Sequence, residues 1–286
     1  MQHHLPTLVI ASTGKTGRRV ADRLEARGLP VRRGSRSGAT RFDWDDRSTW
    51  AEALRGVDKV YVVYSPDLAV PQAPEAIEAF TEAARRAGVR RLVLLSGRGE
   101  EEAQRCERIV ERSGLEWTVV RASWFAQNFD EGAFAELVRA GEVALPAGDV
   151  LEPFVDLDDV ADVAVAALVE DRLVGEVVEV TGPRLMTFAD AVREIAEAAG
   201  REVRYVRIPR EAFTAGLAEA GLPTDQVELL DYLFTTVLDG RNASRTHGVE
   251  RALGRPPRDF RDFARDAAAR GAWAPLEPVE RTAPAL

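Results

Sequence analysis

Cysteine and lysine are the scarce residues of this chain. One cysteine, Cys106, stands among 286 residues. No intrachain disulfide can form, and a zinc site built from several cysteines is excluded. No metal site is expected, and the near-absence of cysteine suits a reducing, cytoplasmic setting. Lysine occurs only at Lys15 and Lys59, so nearly every cation is an arginine. Base is also outweighed by acid, 38 Lys and Arg against 47 Asp and Glu, for a formal charge of -9. Such a surface repels phosphate backbones and no Lys/Arg-rich run offsets it, so nucleic acid is not an expected partner. No stretch reaches the ~18 apolar residues of a membrane span, and no membrane association is expected. Met1 to Leu8 lack the apolar segment of a secretion signal and run directly into a strand.

What is present is an alternation of apolar runs and helical patterns. Strands are expected at Thr7–Ala11, Leu29–Arg33, Arg41–Asp43, Lys59–Tyr64, Arg91–Leu95, Trp117–Arg121, Val177–Thr181 and Glu202–Ile208. Helices are expected at Thr16–Arg27, Arg47–Arg55, Ala76–Ala87, Glu101–Arg112 and Thr187–Ala199, with Pro66–Pro74 a loop. From about Pro209 the pattern is mainly helical, and the Pro-rich tail after Trp273 reads as loose. Strands and helices alternating with short connections predict an α/β fold with a doubly wound parallel sheet.

The strongest motif follows the first strand and opens the first helix: Ala11-Ser12-Thr13-Gly14-Lys15-Thr16-Gly17. Gly14 lets backbone approach a pyrophosphate, Gly17 lets helix and strand pack closely, and the positive helix end favours the anion. The Rossmann dinucleotide pattern has glycine where Ala11 stands, so a methyl group is added to a tight turn. A nucleotide-triphosphate loop is the rival for Gly14-Lys15-Thr16. It needs a further glycine five residues before Gly14, where Val9 lies inside the strand, so it fails on spacing.

After the second strand come Gly34-Ser35-Arg36-Ser37, and residues 29–41 contain no Asp or Glu. An acidic residue there binds the ribose hydroxyls of NAD, whereas Arg36 suits a 2′-phosphate, so NADP(H) is expected over NAD(H). After the third strand, Asp43 is placed to accept from an adenine amino group and Trp44 to flank the ring; Asp45 or Asp46 caps the next helix. Tyr64, Ser65 and Ser96-Gly97-Arg98 end or follow later strands, at the carboxyl edge that faces the cofactor crevice. Ser96 is the best-placed hydroxyl for substrate and the one catalytic candidate. Trp124, Phe125 and Phe129 suit a pocket wall or plain core, and Asn128 suits fixing a polar group of the substrate or capping a chain turn. Cys106 reads as packing and His247 as a surface or cap residue. The apolar helical segment Val227–Leu238 suits a pocket lid or the face of a homodimer.

Taken in order, several segments resemble the NmrA-like group of atypical short-chain dehydrogenases/reductases over roughly residues 5–270. They are Thr13-Gly14-x-x-Gly17, Arg36, Gly88-Val89-x-Arg91-Leu92-Val93-Leu94-Leu95-Ser96, Glu107 through Ser113-Gly114-Leu115, Thr118-Val119-Val120-Arg121, Trp124-Phe125-x-x-Asn128-Phe129, Phe154-Val155-Asp156 and Asp158-Asp159-Val160-Ala161. Gly14 through Val20, with Phe42-Asp43-Trp44 and Thr49-Trp50, further resemble a subgroup that includes an ergot-alkaloid iminium reductase. The resemblance implies a Rossmann-type NAD(P)-binding domain over residues 1–150. Residues 151–286 would then hold the remaining sheet elements and a small, mainly helical substrate lobe, interleaved into one unit. It also implies a small-molecule substrate, with secondary metabolism as one setting. The group holds quinone, alkene and imine reductases as well as non-catalytic redox sensors.

One departure narrows the chemistry. Short-chain dehydrogenases commonly use Tyr-x-x-x-Lys, in which lysine lowers the tyrosine pKa for proton transfer. Here Tyr61, Tyr64, Tyr205 and Tyr232 are followed four residues later by Ser65, Leu68, Pro209 and Thr236. The tyrosine route is therefore closed. The expected activity is hydride transfer from NADP(H) to an electron-poor acceptor such as an iminium, a quinone or an activated alkene. Two alternatives stay open: a redox sensor acting through a protein partner, and a non-redox cyclase or isomerase on the same scaffold.

Overall fold

Buried apolar runs, each followed by a helix with one apolar face, build a single large sheet. The computed structural model describes residues 5–132 and 134–274. The Pro-rich tail and His3-His4 lie outside them. The first half lays down β1 (Thr7–Val9), α1 (Lys15–Ala26), β2 (Val31–Ser35), β3 (Thr40–Arg41), α2 (Trp50–Leu54), β4 (Lys59–Val62), α3 (Ala73–Arg86), β5 (Arg91–Gly97), α4 (Glu101–Glu111), β6 (Glu116–Ala122), α5 (Ala135–Ala140) and β7 (Glu142–Leu145). The second half continues with α6 (Leu157–Val169), β8 (Glu176–Val180), α7 (Phe188–Ala199), β9 (Arg204–Arg207), α8 (Arg210–Glu219), α9 (Thr224–Tyr232), α10 (Gly248–Leu253) and α11 (Phe260–Ala269).

The main sheet runs β3-β2-β1-β4-β5-β6-β8, with every pair parallel. The chain reverses its direction of travel between β1 and β4, and at such a switch point the strand ends leave a crevice for a ligand. β1 is buried at all three residues, which explains why it reads as an unbroken apolar run rather than an alternation. One face carries the aromatic core of Phe42, Trp44, Trp50 and Phe80 under α2, α3 and α4. The other face is covered by α1 and α6, which pack on each other. A third core, rich in phenylalanine, lies around α7, α11 and the second sheet.

The differences from the sequence reading have physical causes. α6 is buried at ten of its residues. A helix apolar nearly all round leaves no stripe of period 3.6, so no helix is expected there from pattern alone. The strand expected at Glu202–Ile208 shortens to β9 and pairs with β7, outside the main sheet. α3 begins at Ala73, inside the expected loop, because Pro74 occupies the first turn, where a missing N–H costs nothing. β5 runs two residues beyond its expected end and carries Ser96 and Gly97. No helix among the described residues is long and apolar enough to cross a membrane.

Candidate active site

The turn between β1 and α1 is built mostly from main chain. Ala11 takes a left-handed φ of 52°. Its carbonyl accepts the Gly14 N–H at 2.8 Å, which closes the turn. Gly14 is the N-cap of α1; no side chain caps this helix end and no acid stands in its first turn. Its leading N–H groups are therefore open to an anion. At Gly17 an added Cβ would lie 2.2 Å from the Ala11 carbonyl oxygen, so only hydrogen fits between α1 and β1. Ser12 plays a different part from the one expected. It is 4 % exposed, and its hydroxyl donates to the Gly34 carbonyl at 3.1 Å, tying the turn to β2 rather than offering a group to a ligand. Thr13 stays exposed, and Thr16 is buried against the cavity.

Arg36 follows β2, is exposed, and has no ion pair or hydrogen bond among the described residues. Its neighbour Arg33, by contrast, is held by Asp22 and Glu25. Trp44 corrects the expectation of an adenine flank. Its ring packs within the aromatic core, 5.1 Å from Phe42, 5.2 Å from Phe80 and 5.0 Å from Tyr64. Its indole N–H is spent on the Val63 carbonyl at 2.9 Å. Asp43 accepts from the Asp45 N–H at 3.2 Å, which fixes a local bend. Asp46 caps the short helical turn at Arg47–Thr49, the use foreseen for it.

From this turn a cavity of about 340 Å³ runs along the carboxyl ends of β4, β5 and β6. Gly14, Lys15 and Thr16 line one end. Tyr64, Ser96, Gly97, Trp124, Phe125 and Asn128 continue the wall, and Leu233 and Asn242 close it from the C-terminal half. Ser65 is exposed and is not part of the lining, which corrects its assignment. Phe129 is fully buried core; its carbonyl accepts the Trp273 indole N–H at 2.7 Å. Of Val227–Leu238, Leu233 lines the cavity while Phe234 and Leu238 enter the third core.

Lys15 and Asn128 meet across the cavity. The lysine Nζ donates to Asn128 Oδ1 at 2.7 Å and lies 5.9 Å from the Phe125 ring centre. Burial lowers the pKa of this ammonium, and the charges of Glu131 and Asp130 oppose the shift. Ser96 faces the cavity with its hydrogen already committed. Its Oγ donates to Glu107 Oε1 at 2.6 Å, and Glu107 is held in turn by the Arg121 guanidinium. Lone pairs of Ser96 remain to accept a hydrogen bond, but its proton is a poor candidate for transfer.

Burial pushes the Cys106 thiol up to about 12, which leaves it inert as a nucleophile. His247 is exposed, 3.7 Å from Glu250, and is not in the cavity lining. No group of three or more His, Cys, Asp or Glu among the described residues is placed to hold a metal. Sequence reasoning missed Asp67, Glu100 and Asn242, and it placed Arg98 at the crevice only as the residue after Ser96-Gly97. Arg98 donates to the Asn242 and Ser244 carbonyls at 3.2 and 3.1 Å, and Asn242 returns a bond to the Arg98 carbonyl at 3.0 Å. This exchange fastens the distant wall to the end of β5. No local pattern marks a pairing between residues so far apart.

Residues 11–171 match the family described as NAD(P)H-binding. A (4-alkanoyl-5-oxo-2,5-dihydrofuran-3-yl)methyl phosphate reductase of Streptomyces griseus is 33% identical, covering 91% of this chain and 97% of its own. An agroclavine dehydrogenase of Claviceps fusiformis is 31% identical, covering 91% and 96%. Among solved structures, the NADPH complex of an Escherichia coli NADPH-dependent quinone oxidoreductase superposes with a TM-score of 0.73. It is 21% identical and covers 90% of this chain and 98% of that one.

Proposed function

This chain belongs to the NAD(P)H-binding family, with dehydrogenases and reductases among its relatives, and from that premise we propose that it is an NmrA-like reductase that uses NADP(H) to reduce an electron-poor acceptor on a small organic molecule. Quinones, iminium ions and activated alkenes are the acceptor classes. The observation that carries the reading is the continuity of one cavity: an uncapped helix end with Gly14, Lys15 and Thr16 at one side, and Trp124, Phe125 and Asn128 at the other. The first side fits a pyrophosphate and the second fits a flat apolar ring. The relatives named above support a small-molecule substrate, because two of them are a dehydrogenase and a reductase of such compounds.

In this reading the α1 N–H groups and Gly14 bind the pyrophosphate, and Arg36 binds the 2′-phosphate. Tyr64 and Ser96 border the nicotinamide end, and Ser96 serves as an acceptor for its amide because its own proton goes to Glu107. Lys15 and Asn128 orient the acceptor or the adjoining phosphate. The reduced nicotinamide supplies the hydride. The protein's share is positioning and exclusion of water by the aromatic wall.

The test is a paired titration with NADPH and NADH by nicotinamide fluorescence, followed by turnover with quinones and cyclic iminium ions. One charged hydrogen-bonding contact contributes about 1.5–3 kcal/mol, so NADPH is expected to bind roughly 10- to 100-fold more tightly. Arg36→Ala should remove that preference and leave NADH binding unchanged. Equal affinity for the two nucleotides in the unaltered protein would sink the role of Arg36. Binding without turnover of any acceptor class would sink the reductase reading.

A further inference from the structure

Two carboxyl groups at the reactive end take no part in the reading above. Asp67 follows β4 and Glu100 immediately precedes α4; both line the cavity. They lie close enough for the charge of Asp67 to raise the pKa of Glu100. Neither has an ion-pair partner among the described residues. Asp67 Oδ1 takes the Ala69 N–H at 2.9 Å. Glu100 is only 8 % exposed, and its Oε2 has no protein donor. Two carboxylates side by side in a buried site repel, so one shared proton is favoured over two charges. The contrast with Glu107 is direct, since that carboxylate is matched by Arg121.

The strand end is shaped for this acid. A Cβ on Gly97 would fall 2.0 Å from Glu100 Oε1 and 2.5 Å from Oε2. The missing side chain at the end of β5 is what admits the carboxyl. That end belongs to the β4–β6 half of the sheet, the half that receives the nicotinamide in folds of this order. Burial drives the Glu100 pKa well above the usual carboxylate range. The charges of Asp67 and Glu107 add to the rise.

We propose that Glu100, sharing one proton with Asp67, is the general acid of this site and suits it to neutral acceptors such as quinones and enones. The proposal rests on the reductase reading. As hydride forms the new C–H bond, the electron pair of the acceptor's double bond moves to its oxygen. The Glu100 O–H bond breaks and an O–H bond forms on the acceptor. The nicotinamide is oxidised and the acceptor reduced by two electrons. The pair, now fully ionised, regains its proton from water. Its added negative charge arises as the nicotinamide ring becomes positive, which compensates its burial. An iminium acceptor becomes neutral on taking hydride and needs no proton.

The test uses the full chain and two readouts. At pH 7 the infrared difference between the unaltered protein and Glu100→Gln, without nucleotide, should contain the C=O band of a protonated carboxyl. Single-turnover oxidation of NADPH is then followed with menadione and with an N-methyl dihydroisoquinolinium ion. Glu100→Gln should lower the menadione-to-iminium rate ratio by roughly tenfold or more, and Asp67→Asn should lower it in the same direction. Absence of the carboxyl band overturns the proposal whether or not the protein turns over. A band together with equal slowing of both acceptors overturns it too, because the pair is then only a support. A band with no oxidation of NADPH by either acceptor in the unaltered protein refutes the reductase reading itself, and the acid role with it.

Discussion

The two ends of the cavity are made of different material. At the α1 end the groups on offer are backbone N–H donors, and what matters is what is missing: a capping side chain, an acid in the first turn, a Cβ at Gly17. At the other end they are side chains, namely two carboxyls, a serine held by Glu107 and a wall of aromatics. The first end depends on close approach of two segments and tolerates almost no added volume. The second depends on charge and shape gathered from three strand ends and the C-terminal half. Binding of the nucleotide and choice of acceptor should therefore respond to different substitutions.

The largest effect tests the first half of that statement. Gly17→Ala puts a methyl group against backbone rather than a flexible side chain, so α1 must shift away from β1. NADPH affinity is expected to fall about 100-fold, with a loss of roughly 1–3 kcal/mol in urea unfolding, the usual cost of forcing atoms into a packed contact. Unchanged binding would show that the turn is looser than its geometry. Trp124→Leu probes the other end. Trp124 is half-buried, with Phe188 at 5.4 Å and Phe234 at 5.1 Å, and leucine keeps much of that packing. The KM for an aromatic acceptor should rise about tenfold, the worth of roughly 1.4 kcal/mol of stacking, while the Kd for NADPH stays within about twofold. A parallel rise in both would erase the division between the ends.

Glu152 sharpens the contrast with a smaller effect. It is fully buried, neither carboxylate oxygen has a partner, and it is not in the cavity lining. Burial raises its pKa to about 7 from 4.5, opposed by Arg98. The folded chain thus holds this proton to higher pH than the unfolded chain. Stability should fall as pH rises from about 4.5 towards 7 and then level off, by an amount on the order of 3 kcal/mol at most. Glu152→Gln should flatten that part of the profile in urea melts. A profile unchanged by the substitution would mean that Glu152 finds a partner in solution.

The same division governs what the sequence reveals. The turn from β1 into α1 is legible because strand, glycines and helix start are contiguous. Arg36 stands out because residues 29–41 hold no Asp or Glu, and its part in nucleotide choice is what the paired titration tests. The parallel sheet follows from the alternation of its elements. Trp44 misleads because an aromatic at a strand end reads equally as a ligand flank or as core. Ser12 and Ser65 mislead because a hydroxyl at a strand end does not disclose its partner. Asp67 and Glu100 lie in a loop and at a helix start, where acids are ordinary, and only the fold makes them neighbours. Asn242 reaches the cavity through its exchange with Arg98, a contact no spacing rule anticipates.

Ala11 bears on how such chains are found. A non-glycine residue at a left-handed φ is disfavoured by about 1–2 kcal/mol. Here the methyl group is not idle: it packs beside the aromatic core and borders the cavity. Burying one such group returns about 0.8 kcal/mol, which offsets much of the disadvantage. Glycine and alanine at this turn are thus close to interchangeable in stability, although only glycine satisfies the familiar fingerprint. A search that insists on glycine here would pass over this protein, and lineages can drift between the two without leaving the fold.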